Sequence, residues 1–182
     1  GSFNSQLKVG SGNVSSTYPP SSSAQSDSPH TAAGASNSIG NVSGNLNTSP
    51  RVNQQDFSSY RGIENFWGNC WNWVDGTNII DAKMYVSNTR PFVDDTTTGY
   101  SLLGGTLPLV NGYVRDLQDI SVGFLPSLTS GGGSSTYITD YFYAPPASGN
   151  RVLSLGGSAD IGSIAGAFCL RGSSSSGGRD RE

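Results

Sequence analysis

No stretch of this chain repeats apolar residues at the spacing of a helical turn, and strong helix formers are scarce: one Met, two Lys and two Glu in 182 residues. What remains are short alternating runs cut by some of the 25 glycines. Such a chain suits short strands and long loops better than a helical bundle. With 34% of residues hydrophobic, apolar surface is limited, yet all three tryptophans fall within residues 67–73 of "GIENFWGNCWNWVDG". In an extended segment Trp71 and Trp73 share one face, and Cys70, Asn72 and Val74 take the other. Trp67 precedes them across Gly68-Asn69, a turn pair. Large rings dominate core energetics through the area they bury, so the cluster reads as a structural nucleus. An exposed platform for stacking sugars is the alternative.

Residues 1–50 are dominated by Ser, Asn, Gly, Thr, Ala and Pro and offer little apolar area to offset ordering entropy. The expected organisation is a low-complexity segment over 1–33, either a linker or strands ordered in an oligomer, followed by a ligand-binding domain over 34–182. "NIIDAKMYVSN" (78–88) alternates, with Ile80, Ala82, Met84 and Val86 on one face, and predicts a single half-buried strand. Asn111-Gly112 predicts a tight turn between apolar pairs. "TYITDYFYA" (136–144) alternates again, and "RVLSL" (151–155) and "AGAFCL" (165–170) predict short strands.

Charge and reactive residues restrict function. A net charge of −3 leaves no basic stripe for phosphates, which argues against nucleic acid. No apolar run reaches the length of a membrane-spanning helix, so membrane insertion is not expected. Cys70 and Cys169 are far apart in sequence; they read as two buried thiols, with a disulfide left open. The sole histidine, His30, lies in the low-complexity segment, so neither a histidine metal site nor a Ser-His-Asp triad can be built. Asp94-Asp95 could hold calcium but reads first as a solvated loop. No catalytic residue, cofactor or metal is expected, and the chain does not read as an enzyme.

The tryptophan segment resembles a motif of formylglycine-generating-enzyme-like proteins, a branch of the C-type lectin fold. The matching positions are Gly62, Ile63, Asn65, Phe66, Gly68, Asn69, Trp71 and Trp73, with Cys70 where Val is usual and Asn72 where Glu is usual. Arg151, Val152, Gly156 and Gly157 resemble the same family's arginine-valine strand and its glycine turn. The order of "YRGIENFWGN", "WVDGTNI", "DDTTTGY", "LPLVNGYVRDL" and "RVLSLGG" is similar to phage and prophage proteins of this branch. Among these are retroelement-diversified receptor-binding proteins of the major tropism determinant type. The resemblance implies an α+β, loop-rich C-type lectin fold with many short antiparallel strands and few helices. The copper-binding cysteine pair of the enzymatic relatives is not matched, since only Cys169 stands in the corresponding region.

The function this implies is host attachment by a phage tail fibre or tail tip, located on the virion. A bacterial surface adhesin is the alternative; a virion decoration protein and a formylglycine-generating-type oxidase are remoter ones. Within "GGSADIGSIAGAFCLRGSSSSGG" the frame is glycine, alanine, Phe168 and Leu170. Between them lie chemically unrelated residues: Ser158, Asp160, Ile161, Ser163, Ile164, Cys169 and Arg171. These are the expected contacts, with Ile161, Ile164 and Arg171 as anchors, although the isoleucines could instead pack inward. Tyr137 and Tyr141, together with Tyr143, could border that face or belong to a core. The expected partner is a bacterial surface protein or glycan. Weak binding by one face would gain avidity from several copies, so a homo-oligomer, plausibly a trimer, is expected.

Overall fold

The computed structural model describes residues 44–46, 57–60, 63–64, 66–68, 70–130, 138, 140–158, 161 and 164–177. Tyr137, Asp160 and Ser163 lie outside the described residues, as does the whole of 1–33. Twelve strands are described: β1 (Gly44–Leu46), β2 (Phe57–Tyr60), β3 (Ile63–Glu64), β4 (Asn72–Trp73), β5 (Thr77–Ile80), β6 (Lys83–Val86), β7 (Ser101–Thr106), β8 (Gly112–Ile120), β9 (Gly123–Thr129), β10 (Tyr141–Tyr143), β11 (Asn150–Gly156) and β12 (Gly166–Ser174). No α-helix occurs among the described residues; helical geometry is confined to 3₁₀ fragments at Ile161, Ile164 and Ser176–Gly177. The expected α+β class is therefore wrong, and with it the C-type lectin fold with its few helices. The described chain is mostly β. The helices came from the resemblance alone, for the residues themselves carry no helical period.

The chain divides into two compact units, Gly1–Asn72 with Gly156–Cys169, and Trp73–Leu155 with Leu170–Glu182. In the first, β1, β2 and β3 form an antiparallel sheet in that order. Trp67 and Trp71 are buried there, 4% and 7% exposed, and the Phe66 and Trp67 rings meet edge to face at 6.1 Å. Gly156 (φ 94°) passes so close to this segment that a Cβ would lie 2.8 Å from the Phe66 carbonyl oxygen and 3.2 Å from Trp67 Cα. The Gly68 amide donates to the Gly156 carbonyl at 3.1 Å, and Asn72 Nδ2 donates to the Phe66 carbonyl at 3.0 Å. Two of the three tryptophans thus serve as the expected nucleus.

The second unit is built on the larger sheet, whose strand order is β7-β6-β5-β11-β12-β10-β8-β9. Its core contains Ile79, Met84, Leu107, Val114, Leu125, Phe142, Ala144 and Leu153. Fully burying an aliphatic or aromatic side chain of this size contributes about 1.5–3 kcal/mol. The sheet curls back on itself, bringing β7 against β8. Gln118 Nε2, on β8, donates to the Thr106 carbonyl of β7 at 3.1 Å and to the Pro126 carbonyl of β9 at 3.0 Å. Gly104 and Gly105 make this approach possible: a Cβ on Gly104 would lie 2.5 Å from Ile120 Cγ2, and one on Gly105 would strike the Gln118 amide.

Two local expectations change. Residues 78–88 form a hairpin, not one strand: β5 and β6 pair with Ile80 opposite Lys83. Asp81 (φ 50°) and Ala82 (φ 57°) make the turn, both positive as a two-residue type I′ connection requires. The turn leans on the rest of the unit. Asp81 Oδ1 accepts from the Gly149 amide at 2.8 Å, and the Ala82 carbonyl accepts from the Leu107 amide at 2.8 Å. Asn111-Gly112 is not a hairpin turn; Gly112 opens β8, and Asn111 Oδ1 accepts from the Ala144 amide at 2.8 Å. The hairpin that does form nearby, β8–β9, turns at Ser121-Val122, with Ile120 opposite Gly123.

Candidate functional site

The expected contact residues fall on both units. In the first, Ser158, Ile161 and Ile164 are half-buried. Gly157 (φ 78°) lies under the ribbon, and a Cβ there would meet Ile161 Cδ1 and Ala165 Cβ, each at 2.8 Å. Ile161 therefore covers the glycine while keeping part of its surface, a compromise between display and packing. Cys169 is 0% exposed and drops out of the contact set, because a side chain with no accessible surface cannot meet a macromolecule. Its frame neighbour Phe168, expected as scaffold, is instead 57% exposed. Cys70 is half-buried, and the two cysteines form no disulfide.

In the second unit a tyrosine cluster stands on the sheet. Strand β10 alternates: Phe142 is fully buried in the core, so Tyr141 and Tyr143 point to the opposite face, where both are half-buried. Tyr141 lies opposite Tyr113 of β8, and the two rings meet edge to face at 5.2 Å. Tyr141 and Tyr143 rings lie 4.8 Å apart, tilted by 59°. On the other side, β10 pairs in parallel with β12, and Tyr143 lies opposite Arg171. Arg171 Nε donates to Ser173 Oγ at 3.4 Å. Three rings and a guanidinium thus occupy neighbouring positions on three adjacent strands.

This arrangement brings Tyr141 and Tyr143, both expected at the border of the face or in a core, beside Arg171, an expected contact. It adds Tyr113, which the sequence analysis did not single out. Alternation within β8 puts Tyr113 opposite in sense to buried Val114, but only the β8–β10 register brings it to Tyr141. Chemically the cluster offers polarisable ring surface, phenolic hydroxyls that donate and accept, and a planar cation suited to carboxylates. Tyrosine supplies large contact area at low conformational-entropy cost, the property that enriches it in binding surfaces.

The Asp94-Asp95 loop is tied down by protein groups. Asn78, 1% exposed, donates through Nδ2 to the Val93 carbonyl at 2.8 Å and the Thr96 carbonyl at 2.9 Å. Asp95 Oδ2 accepts from Ser176 Oγ at 2.7 Å. Among the described residues no group of three or more His, Cys, Asp or Glu side chains could hold a metal ion. No family model matches the chain, and neither a curated protein nor a solved structure matches it.

Proposed function

We propose that this chain is an attachment domain that binds a bacterial surface ligand, carried on a phage tail fibre or tail tip. The observation that carries the proposal is the cluster of Tyr113, Tyr141 and Tyr143 beside Arg171, on the sheet face opposite Phe142. Edge-to-face and tilted rings make a corrugated surface, with the guanidinium at one border to orient an acidic or carbonyl-bearing group. The half-buried Ser158, Ile161 and Ile164 supply a second, smaller set of contacts. The sequence resemblance to phage receptor-binding proteins supports the biological setting. It no longer supports a fold, and the proposal uses none. A single patch of this size binds weakly; several copies on one particle raise the effective concentration of the later contacts.

Adsorption of purified, labelled protein to a panel of bacterial strains tests the proposal. Tyr141→Ser combined with Tyr143→Ser should lower binding to any adsorbing strain by about tenfold or more, because truncated aromatic anchors carry much of an interface's energy. The far-ultraviolet spectrum should stay unchanged, since both side chains stand off the core. Undiminished adsorption by a folded double variant would reject the tyrosine cluster as the contact surface.

A further inference from the structure

We infer that Asn111-Gly112 is a deamidation site whose conversion is gated by the pairing of β8 with β10. It is the one Asn-Gly pair in the sequence. Deamidation of asparagine begins when the next residue's backbone nitrogen attacks the side-chain carbonyl carbon. Glycine eases that attack, because it has no Cβ to crowd the approach and its backbone turns freely.

The fold has a use for each member of this labile pair. The Val114 amide donates to the Asp140 carbonyl at 3.1 Å, and Gly112 lies opposite Phe142 in the same antiparallel register. Two residues further along, the ladder would give the Ala144 amide the Val110 carbonyl. That carbonyl instead accepts from Thr129 Oγ1, and Asn111 Oδ1 takes the Ala144 amide at 2.8 Å. The Asn111 side chain thus stands in for a backbone carbonyl where β8 begins. Gly112 has a separate reason. A Cβ there would lie 3.1 Å from the Ser130 nitrogen, whose N–H donates to the Tyr113 carbonyl at 3.3 Å. Together the two requirements write the reactive sequence into the strand.

The same ladder holds the site closed. Alternate pairs of antiparallel strands exchange both backbone hydrogen bonds. Val114 and Asp140 are such a pair, so Gly112 and Phe142 are the next, and the Gly112 amide is committed to the Phe142 carbonyl. The nucleophile is therefore engaged by β10, and the electrophile is held by Ala144, which follows β10. Ring closure needs both released at once. Asn111 itself is exposed, so water and base reach it when the start of β8 frays.

On opening, the Gly112 nitrogen loses its proton and bonds to Asn111 Cγ. The Cγ–Nδ2 bond breaks, and Nδ2 leaves as ammonia with that proton. The five-membered imide takes up one water at either carbonyl, giving aspartate or isoaspartate; no oxidant or cofactor enters. Aspartate keeps an oxygen for the Ala144 amide. Isoaspartate routes the main chain through Cβ, which lengthens it between 111 and 112 and shifts β8 against β10. Tyr113 then loses its place opposite Tyr141. The modification would age the tyrosine cluster, but its chemistry does not depend on any ligand.

The test is peptide mapping by mass spectrometry of the full chain after incubation in mildly alkaline buffer, with and without guanidinium chloride. In denaturant, Asn111 should convert faster than any other asparagine. In the folded chain its conversion should be slower by about tenfold or more, because reaction waits on local opening. Across low denaturant concentrations that leave the chain folded, deamidation should accelerate in proportion to hydrogen exchange at the Gly112 amide. An Asn111 that stays intact in the denatured chain overturns the site. Equal rates in folded and denatured chains overturn the gating, as does a folded rate that fails to follow Gly112 exchange. None of these results bears on the tyrosine cluster as a contact surface, whose test is adsorption.

Discussion

Asn78 shows how one polar residue fixes a loop. It sits on β5 beside Ile79, buried, with its amide spent on two carbonyls of the 93–96 segment. Asn78→Ala should cost about 1–3 kcal/mol in chemical denaturation, because two part-buried hydrogen bonds are lost at once. Unchanged stability would mean that water replaces the amide readily. Nothing in the alternation of residues 78–88 distinguishes Asn78 from any polar strand residue, since its partners lie 15 and 18 positions away. The tryptophans were more legible. Ring area alone predicted burial for Trp67 and Trp71, and the glycine turn at Gly156-Gly157 was visible in the sequence, though the reason for it was not. Gly156 is needed because its backbone runs against Phe66 and Trp67, contacts separated by some 90 positions.

At the level of elements, the pattern of hydrophobic residues located strands but not their ends. A two-residue turn preserves the alternation that runs through Ile80, Ala82 and Met84, so a hairpin and a continuous strand look alike in the sequence. Asp81-Ala82 lacks the Asn-Gly signature of a type I′ turn, and the conformation is held instead by bonds to Gly149 and Leu107. Asn111-Gly112 had the signature but serves another purpose. The closure of the larger sheet was not legible at all, since it rests on glycines of β7 meeting side chains of β8. Gly104→Ala should therefore lower the thermal midpoint, with a cost of about 1–3 kcal/mol for overpacking against Ile120. Gly177→Ala, whose Cβ meets nothing within 4 Å, should stay within about 0.5 kcal/mol of wild type. Equal behaviour of the two would show that the contact between β7 and β8 relaxes freely.

In the whole molecule, the residues that hold the chain together differ from those proposed to meet a ligand. Core side chains and glycine contacts hold it together; the tyrosine cluster is the surface proposed for contact. The sequence offers Arg171 as a contact and Tyr141 only as a border or core residue; the neighbourhood of Tyr113 needs strand register, and the burial of Cys169 is not legible because a single residue within a short strand does not announce its face. The most direct measurement is adsorption of the purified protein to bacterial cells, wild type against Tyr141→Ser with Tyr143→Ser. Binding should fall by about tenfold or more while the fold is kept. A folded double variant that adsorbs as strongly as wild type would contradict it.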